Sequence, residues 1–199
     1  MYYKEKIKIF VSGAAELSPC CPDIKKISEN LGKEIAKQGC VLITGATTGA
    51  PYYTAKGYNK AGGIMSIGFS PAGSPKEHMK KYRLPLDQFD LMIYTGFDYS
   101  GRNLIATKSA DGVVVVCGRI GTLNEFTTAF ESKTPIGILQ GTGGTVDMLG
   151  EILKKSGRSF SKIVQSRDIK ELISKLIKLI ERDRKKLTPL NLKHKAKRD

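Results

Sequence analysis

A chain of 199 residues, 40% hydrophobic and 26% charged, has the length of one domain and the composition of a folded globular protein, which excludes an intrinsically disordered chain. The charge balance is 33 Lys+Arg against 19 Asp+Glu, a net +14, and residues 182–199 alone hold 8 basic against 2 acidic side chains. No apolar run approaches the roughly 18–20 residues that cross a bilayer, and residues 1–7 lack the apolar core of a signal peptide, so a cytoplasmic protein without membrane contact is expected.

In chain order, strand-like and helix-like segments alternate. Residues 7–11 read as a short strand. Pro22-Asp23 then starts a helix whose Ile24, Ile27, Leu31 and Ile35 recur at helical spacing, and Gly39 ends it. Residues 40–44 form a second strand, followed by a Gly-rich turn at 44–49, a helix at 51–61 and a third strand at 64–69. Pro71, Pro75 and Pro85 punctuate a polar loop over 70–88. A short strand at 91–95 precedes a helix at 102–109. The unbroken Val run at 113–117 fits the centre of a parallel sheet. A helix at 121–132, a strand at 135–139, a Gly-rich turn at 140–145, a helix to about residue 155 and a strand at 163–165 follow. Ile169, Leu172, Ile173, Leu176, Ile177 and Ile180 make one apolar stripe on the last helix. One domain over 1–181 and a basic tail over 182–199 result.

Repeated β–α units with buried strands predict an α/β fold, a doubly wound, mostly parallel sheet with helices on both faces. Such sheets bind ligands beyond the carboxyl ends of their strands. Three of those ends carry small-residue turns: Ser12-Gly13-Ala14-Ala15, Thr44-Gly45 through Gly49-Ala50-Pro51, and Gly118-Arg119-Ile120-Gly121-Thr122. Glycine lets a backbone approach a phosphate closely, and helix amino termini favour anions. A phosphate-bearing ligand is expected, held by Ser12, Gly13, Gly45, Gly49, Gly118, Arg119, Gly121 and Thr122. Glu125 lies one turn after Gly121 and reaches the same crevice, unless it closes a Thr122–Glu125 capping box. Arg102 opens the preceding helix and faces that crevice too.

The cysteines read as buried thiols at Cys40 and Cys117 and an adjacent loop pair, Cys20-Cys21, rather than disulfides. His78 and His194 lie far from any cysteine pair, so no metal site is expected. The basic tail reads as a solvated terminus, with nucleic-acid contact restricted to it. A dehydrogenase reading, on Thr44-Gly45-x-x-x-Gly49 and Tyr52-x-x-x-Lys56, fails because the Tyr/Lys pair follows the glycines at once and the glycines follow the second strand.

From Gly118 to Glu125, after the Val run, the chain resembles the PGGxGTxxE signature of the Lonely Guy (LOG) family. Gly101-Arg102-Asn103 and the second glycine segment, Thr44-Gly45 through Gly62-Gly63, resemble that family as well, and the likeness runs from about residue 7 to 180. It implies a LOG-like Rossmann nucleotide-binding domain and a homodimer, in a superfamily that includes molybdenum-cofactor carriers. It implies hydrolysis of a nucleoside 5′-monophosphate to base and ribose 5-phosphate, with Arg102 and Glu125 as the catalytic pair, Gly118, Gly121 and Thr122 on the phosphate, and no cofactor. The alternative is a nucleotide or molybdopterin-type cofactor carrier without turnover. Cys117 stands where the signature has Pro, Arg119 where it has Gly, and Asn103 where LOG enzymes tend to have Lys.

Overall fold

The computed structural model describes residues 5–158 and 162–195. Within them run β1 (Lys8–Gly13), α1 (Ile24–Lys37), β2 (Val41–Thr44), α2 (Ala50–Lys60), β3 (Ser66–Ser70), α3 (Pro75–Lys80) and β4 (Leu91–Tyr94). Then follow α4 (Asp98–Lys108), β5 (Gly112–Gly118), α5 (Ile120–Glu131), β6 (Ile136–Gly144), a 3-10 turn (Thr145–Met148), α6 (Leu149–Lys155), β7 (Ile163–Ser166) and α7 (Ile169–Lys195).

The strands form one sheet in the order β4-β3-β2-β1-β5-β6-β7, and every neighbouring pair is parallel. Side chains alternate across a strand, which splits the core into two layers. Ile9 and Val11 of β1, Leu42 of β2 and Val114 and Val116 of β5 pack with Leu31 and Ile35 of α1, Tyr58 of α2 and Leu172 and Leu176 of α7. Phe10, Ile43, Val113 and Val115 point the other way, to Ala106 of α4, Phe126 and Ala129 of α5 and Leu149 of α6. β5 is buried at every residue, as its Val run requires. The predicted α/β sandwich, Rossmann-like with helices on both faces, is the observed one, and its sheet is parallel throughout.

The chain steps from β1 outward to β4, then crosses back through α4 to lay β5 on the other side of β1. The strand order therefore reverses between β1 and β5, the switch point at which such sheets bind ligands.

Four local expectations are corrected. The polar loop at 70–88 contains α3, whose amino end is capped by Ser74 accepting the Glu77 N–H (3.2 Å), with Pro75 in the first turn. This is a Ser-Pro-x-Glu start signal, but six residues are too few to show a helical stripe. The Gly-rich segment at 140–144 extends β6, and Gly144 pairs with Gly118 across a register shift after Val116. The basic residues from 182 onward continue α7; residues 196–199 lie outside the described ones. Finally, Cys20 and Cys117 form a disulfide, so two of the four predicted thiols are absent; Cys21 and Cys40 are free. The bonded cysteines are 97 residues apart; the pairing of β1 with β5 and the bridge of Cys20 to Gly143 of β6 bring them together. Burial pushes the Cys40 thiol up to about 11.

α3 buries one side chain, His78. Its Nε2 lies 3.1 Å from the Pro85 carbonyl, to which it donates, and its Nδ1 lies 2.8 Å from Ser70 Oγ. Burial holds this imidazole below its ordinary 6.5. The unfolded chain thus takes up the proton first, and the stability that neutral His78 contributes is complete above pH 6.5 and lost as pH falls through the folded value. Urea midpoints measured from pH 7.5 to 5.5 will fall, and His78→Gln will flatten that slope. An equal slope in the variant would contradict the assignment.

Candidate functional site

The carboxyl end of β1, the turn after β2, Arg119 just beyond β5 and the amino ends of α4 and α5 enclose a crevice of about 440 Å³, within the roughly 300–1,000 Å³ range of small-molecule sites. Of the ten predicted site residues, eight line it: Ser12, Gly13, Gly45, Arg102, Arg119, Gly121, Thr122 and Glu125.

At its floor lies a buried triad. Arg102, one turn into α4, donates from Nη1 to Glu125 Oε1 at 3.1 Å, and both side chains are less than a tenth exposed. Ser12 Oγ donates to the other oxygen, Oε2, in a short hydrogen bond. Burial pushes the Glu125 carboxyl above the ordinary carboxylate range, opposed by the Arg102 guanidinium and the Ser12 hydroxyl. Burial likewise lowers Arg102, but a guanidinium stays protonated in proteins. The Tyr99 ring flanks Arg102, with 5.7 Å between its centroid and Cζ. Arg102 Nε is buried without a hydrogen-bond partner, a donor in need of an acceptor.

The capping-box alternative for Glu125 does not hold. α5 is capped by Arg119 with no side-chain cap bond, so Glu125 is free to turn inward to Arg102. The first N–H groups of α5 lack intrahelical acceptors, as at any helix start. A Cβ built on Gly121 meets nothing within 4 Å, so the backbone beside those N–H groups is open. Thr122 is buried behind it. Arg119 lines the crevice, its side chain about half exposed, and pairs with Glu16 from the segment after β1.

The glycines divide by role. Gly45 lies against Arg102: a Cβ there would come within 2.0 Å of Nη1. Gly13 packs on the Val116 carbonyl at the crevice wall. Gly49 and Gly118 do not line the crevice. Gly49 caps α2 at φ +71°, against the Ala14 and Ala15 carbonyls, and Gly118 packs on Thr122 and Thr145.

Sequence reading missed Tyr99 as a lining residue and treated Asn103 as a departure only. Asn103 lines the crevice and donates from Nδ2 to Asn124 Oδ1 at 3.1 Å. Neither stands in a glycine turn, so only the helix phase set by Arg102 could have found them. Tyr52 and Lys56 have separate partners, Asp87 at 2.9 Å and Glu29 at 3.6 Å, and neither lines the crevice, which removes the dehydrogenase reading. Among the described residues no cluster of three or more His, Cys, Asp or Glu could hold a metal ion, and no helix is long and apolar enough to cross a membrane.

The chain is similar to the X-ray structure of TM1055, a structural genomics target, at 25% identity and a TM-score of 0.73, over 86% of this chain and 98% of that one. It is similar to the molybdenum cofactor binding protein of the phototrophic bacterium Rippkaea orientalis (26% identity, TM-score 0.71, 90% and 98% covered). The Moco carrier protein of Chlamydomonas reinhardtii matches at 26% identity and a TM-score of 0.71, with 89% and 99% covered. No match was found among curated proteins. The profile of the SLOG cluster4 family matches residues 6–173, from the first strand into the last helix, and the chain therefore belongs to that family, within the LOG-like Rossmann superfamily.

Proposed function

We propose that the crevice binds and holds a phosphorylated, nucleotide-like molecule, its phosphate on the amino end of α5 and its sugar and ring toward Arg102 and Glu125. One observation carries this reading: a buried Arg102–Glu125–Ser12 triad faces the same crevice as an open helix amino terminus at Gly121. Helix N–H groups and dipole favour a phosphate, Arg119 adds a cation at the rim, and the unpaired Arg102 Nε supplies a donor for the rest of the ligand. The likeness to proteins named for binding or carrying molybdenum cofactor supports holding over turnover, and brings pterin-type cofactors into the ligand class.

The buried, pKa-raised carboxylate of Glu125 favours one second reading, hydrolysis of a nucleoside 5′-monophosphate. Cleavage of the bond between C1′ and the base nitrogen builds positive charge on the ribose. Glu125 would stabilise that charge and take a proton from the attacking water, whose oxygen bonds C1′ as the bond to the base nitrogen breaks, and the carboxyl would then pass that proton to the departing base. A cytoplasmic homodimer belongs to the same proposal. Phe97 and Leu104, on the start and body of α4, and Ile120 at the crevice, at 64%, 48% and 76% exposure, support a covered face.

Incubation with a panel of nucleoside 5′-monophosphates, read for bound ligand and free base, separates the two readings. Retention without free base supports holding. Base release that disappears in Glu125→Gln overturns it in favour of hydrolysis. Gly121→Asp tests the phosphate position. A carboxylate in the first helical turn complements the dipole, so thermal stability is kept. The same carboxylate occupies and repels the phosphate site, and affinity falls at least about tenfold, roughly 1.4 kcal/mol. Unchanged affinity would place the phosphate elsewhere.

A further inference from the structure

We infer that the Cys20–Cys117 disulfide is a reversible redox site that ties the two walls of the crevice together, with a dithiol as its reducing partner. The inference rests on the ligand reading above for its effect on affinity, and on the structure alone for its effect on the walls.

One wall is the segment after β1, which carries Ala14, Ala15 and Glu16; the other is the end of β5, leading into Arg119 and the amino terminus of α5. Neither cysteine lines the crevice: Cys20 lies five residues beyond Ala15 and Cys117 two residues before Arg119, and their bond joins the segments behind the two walls covalently. Non-covalent ties surround that bond: β1 pairs with β5 as far as Gly13 and Val116, Cys20 bridges Gly143 of β6, and Cys21 N–H donates to the Thr142 carbonyl at 3.1 Å. Arg119 pairs with Glu16, but both side chains are more than half exposed, and exposed pairs contribute little. Ala14 N–H donates to the Cys117 carbonyl at 3.1 Å, and Cys117 is also held from β6, its N–H donating to Thr142 Oγ1 at 2.9 Å. Cys117 sits at the register shift of β5 with φ +31°, a backbone state that non-glycine residues keep only when their surroundings hold it. Reduction removes one of those restraints next to the phosphate loop.

Access sets the order of events. Cys117 is fully buried and Cys20 half-buried. A thiolate of the dithiol attacks Cys20 Sγ, the S–S bond breaks, and Cys117 leaves as a thiolate and takes up a proton. The second thiol of the reductant then attacks the mixed disulfide, releasing Cys20 as a thiol and the reductant as a cyclic disulfide. Two electrons and two protons pass to the protein. A disulfide oxidant reverses the sequence. In the reducing compartment proposed above, disulfides are typically transient or redox-sensing, which fits a switch. Ligand and redox state must then influence each other reciprocally.

The test uses the full chain, oxidised or treated with dithiothreitol, with three readouts. The folded protein is reduced or left oxidised, freed of reductant and then unfolded in denaturant with iodoacetamide; mass spectrometry should show two further labelled residues after reduction, Cys20 and Cys117. Hydrogen exchange over residues 14–23 and 117–122 should quicken on reduction, and Cys20→Ser should exchange quickly with or without reductant. Cys21→Ser should keep the wild-type response. Adenosine 5′-monophosphate, as probe, should bind the oxidised form at least fivefold more tightly. Labelling that ignores the reductant, exchange equal in both states, or equal affinity in both states overturns the proposal. Quickened exchange with no probe bound in either state supports the redox site and counts against the ligand reading.

Discussion

Arg102→Ala is expected to destabilise the protein by about 3–5 kcal/mol, the usual cost of leaving one partner of a buried ion pair alone, and to abolish ligand binding. The guanidinium and the Glu125 carboxylate are both enclosed, and the remaining polar partner of that carboxylate in the triad is Ser12. Burial already disfavours ionised Glu125. Its folded pKa lies above its unfolded one, so ionised Glu125 subtracts stability at neutral pH. The pair is therefore an expensive way to fill the space. Replacing both charges with apolar side chains of similar size, Arg102→Met with Glu125→Leu, should recover most of the stability lost in Arg102→Ala, as apolar replacements of buried pairs do. Binding should remain absent in the double variant. Urea unfolding and a binding titration on the three proteins check this. A double variant as unstable as Arg102→Ala would mean that the pair is held for the fold rather than for the ligand.

Gly49→Ala is expected to cost about 3 kcal/mol or more, from a positive-φ, extended-ψ backbone state (φ +71°, ψ −141°) that is nearly restricted to glycine, roughly 1–3 kcal/mol, plus a clash with rigid backbone. Gly49 has φ +71°, and an added Cβ would fall 2.2 Å from the Ala14 carbonyl oxygen and 2.4 Å from that of Ala15. Those atoms are backbone and cannot swing aside. Relief requires moving the segment after β1, breaking the 2.9 Å bond from Ala50 N–H to Ala14 O and shifting the crevice wall. Gly62→Ala is the control, since Gly62 has φ +72° and open space around the added carbon. It should cost positive-φ strain without a clash, and so clearly less unfolding free energy than Gly49→Ala. Equal losses would show that the contact of Gly49 with the 14–15 backbone is unimportant.

These two positions show where the sequence was readable. Arg102 and Glu125 are 23 residues apart, yet helix phase and strand order put both at one sheet edge, and the structure brings their side chains into contact there. Glycine after a strand admits a phosphate, the role expected of Gly49; its neighbour in the structure is backbone from another loop, and glycine looks the same in either role. The Val run of β5 and the alternation of Ile9, Phe10 and Val11 specified the sheet and its two layers. The bulge at Cys117 and the bond to Cys20 depend on which strands become neighbours, and local pattern carries no trace of that. α3 was missed because its signal lay in a cap, Ser74 to Glu77, rather than in a periodic stripe. Thr122 and Glu125 offered a similar cap pattern, and there the tertiary partner Arg102 took the carboxylate instead.

The central claim is that a ligand phosphate rests on the amino end of α5 above the Arg102–Glu125 pair. Titration calorimetry of the common nucleoside 5′-monophosphates beside their parent nucleosides, with wild type and Gly121→Asp, tests it directly. At least one monophosphate should bind wild type tenfold or more tightly than its nucleoside, and Gly121→Asp should erase that difference while remaining folded. A phosphate advantage that survives Gly121→Asp, or no binding by any monophosphate, would contradict the claim.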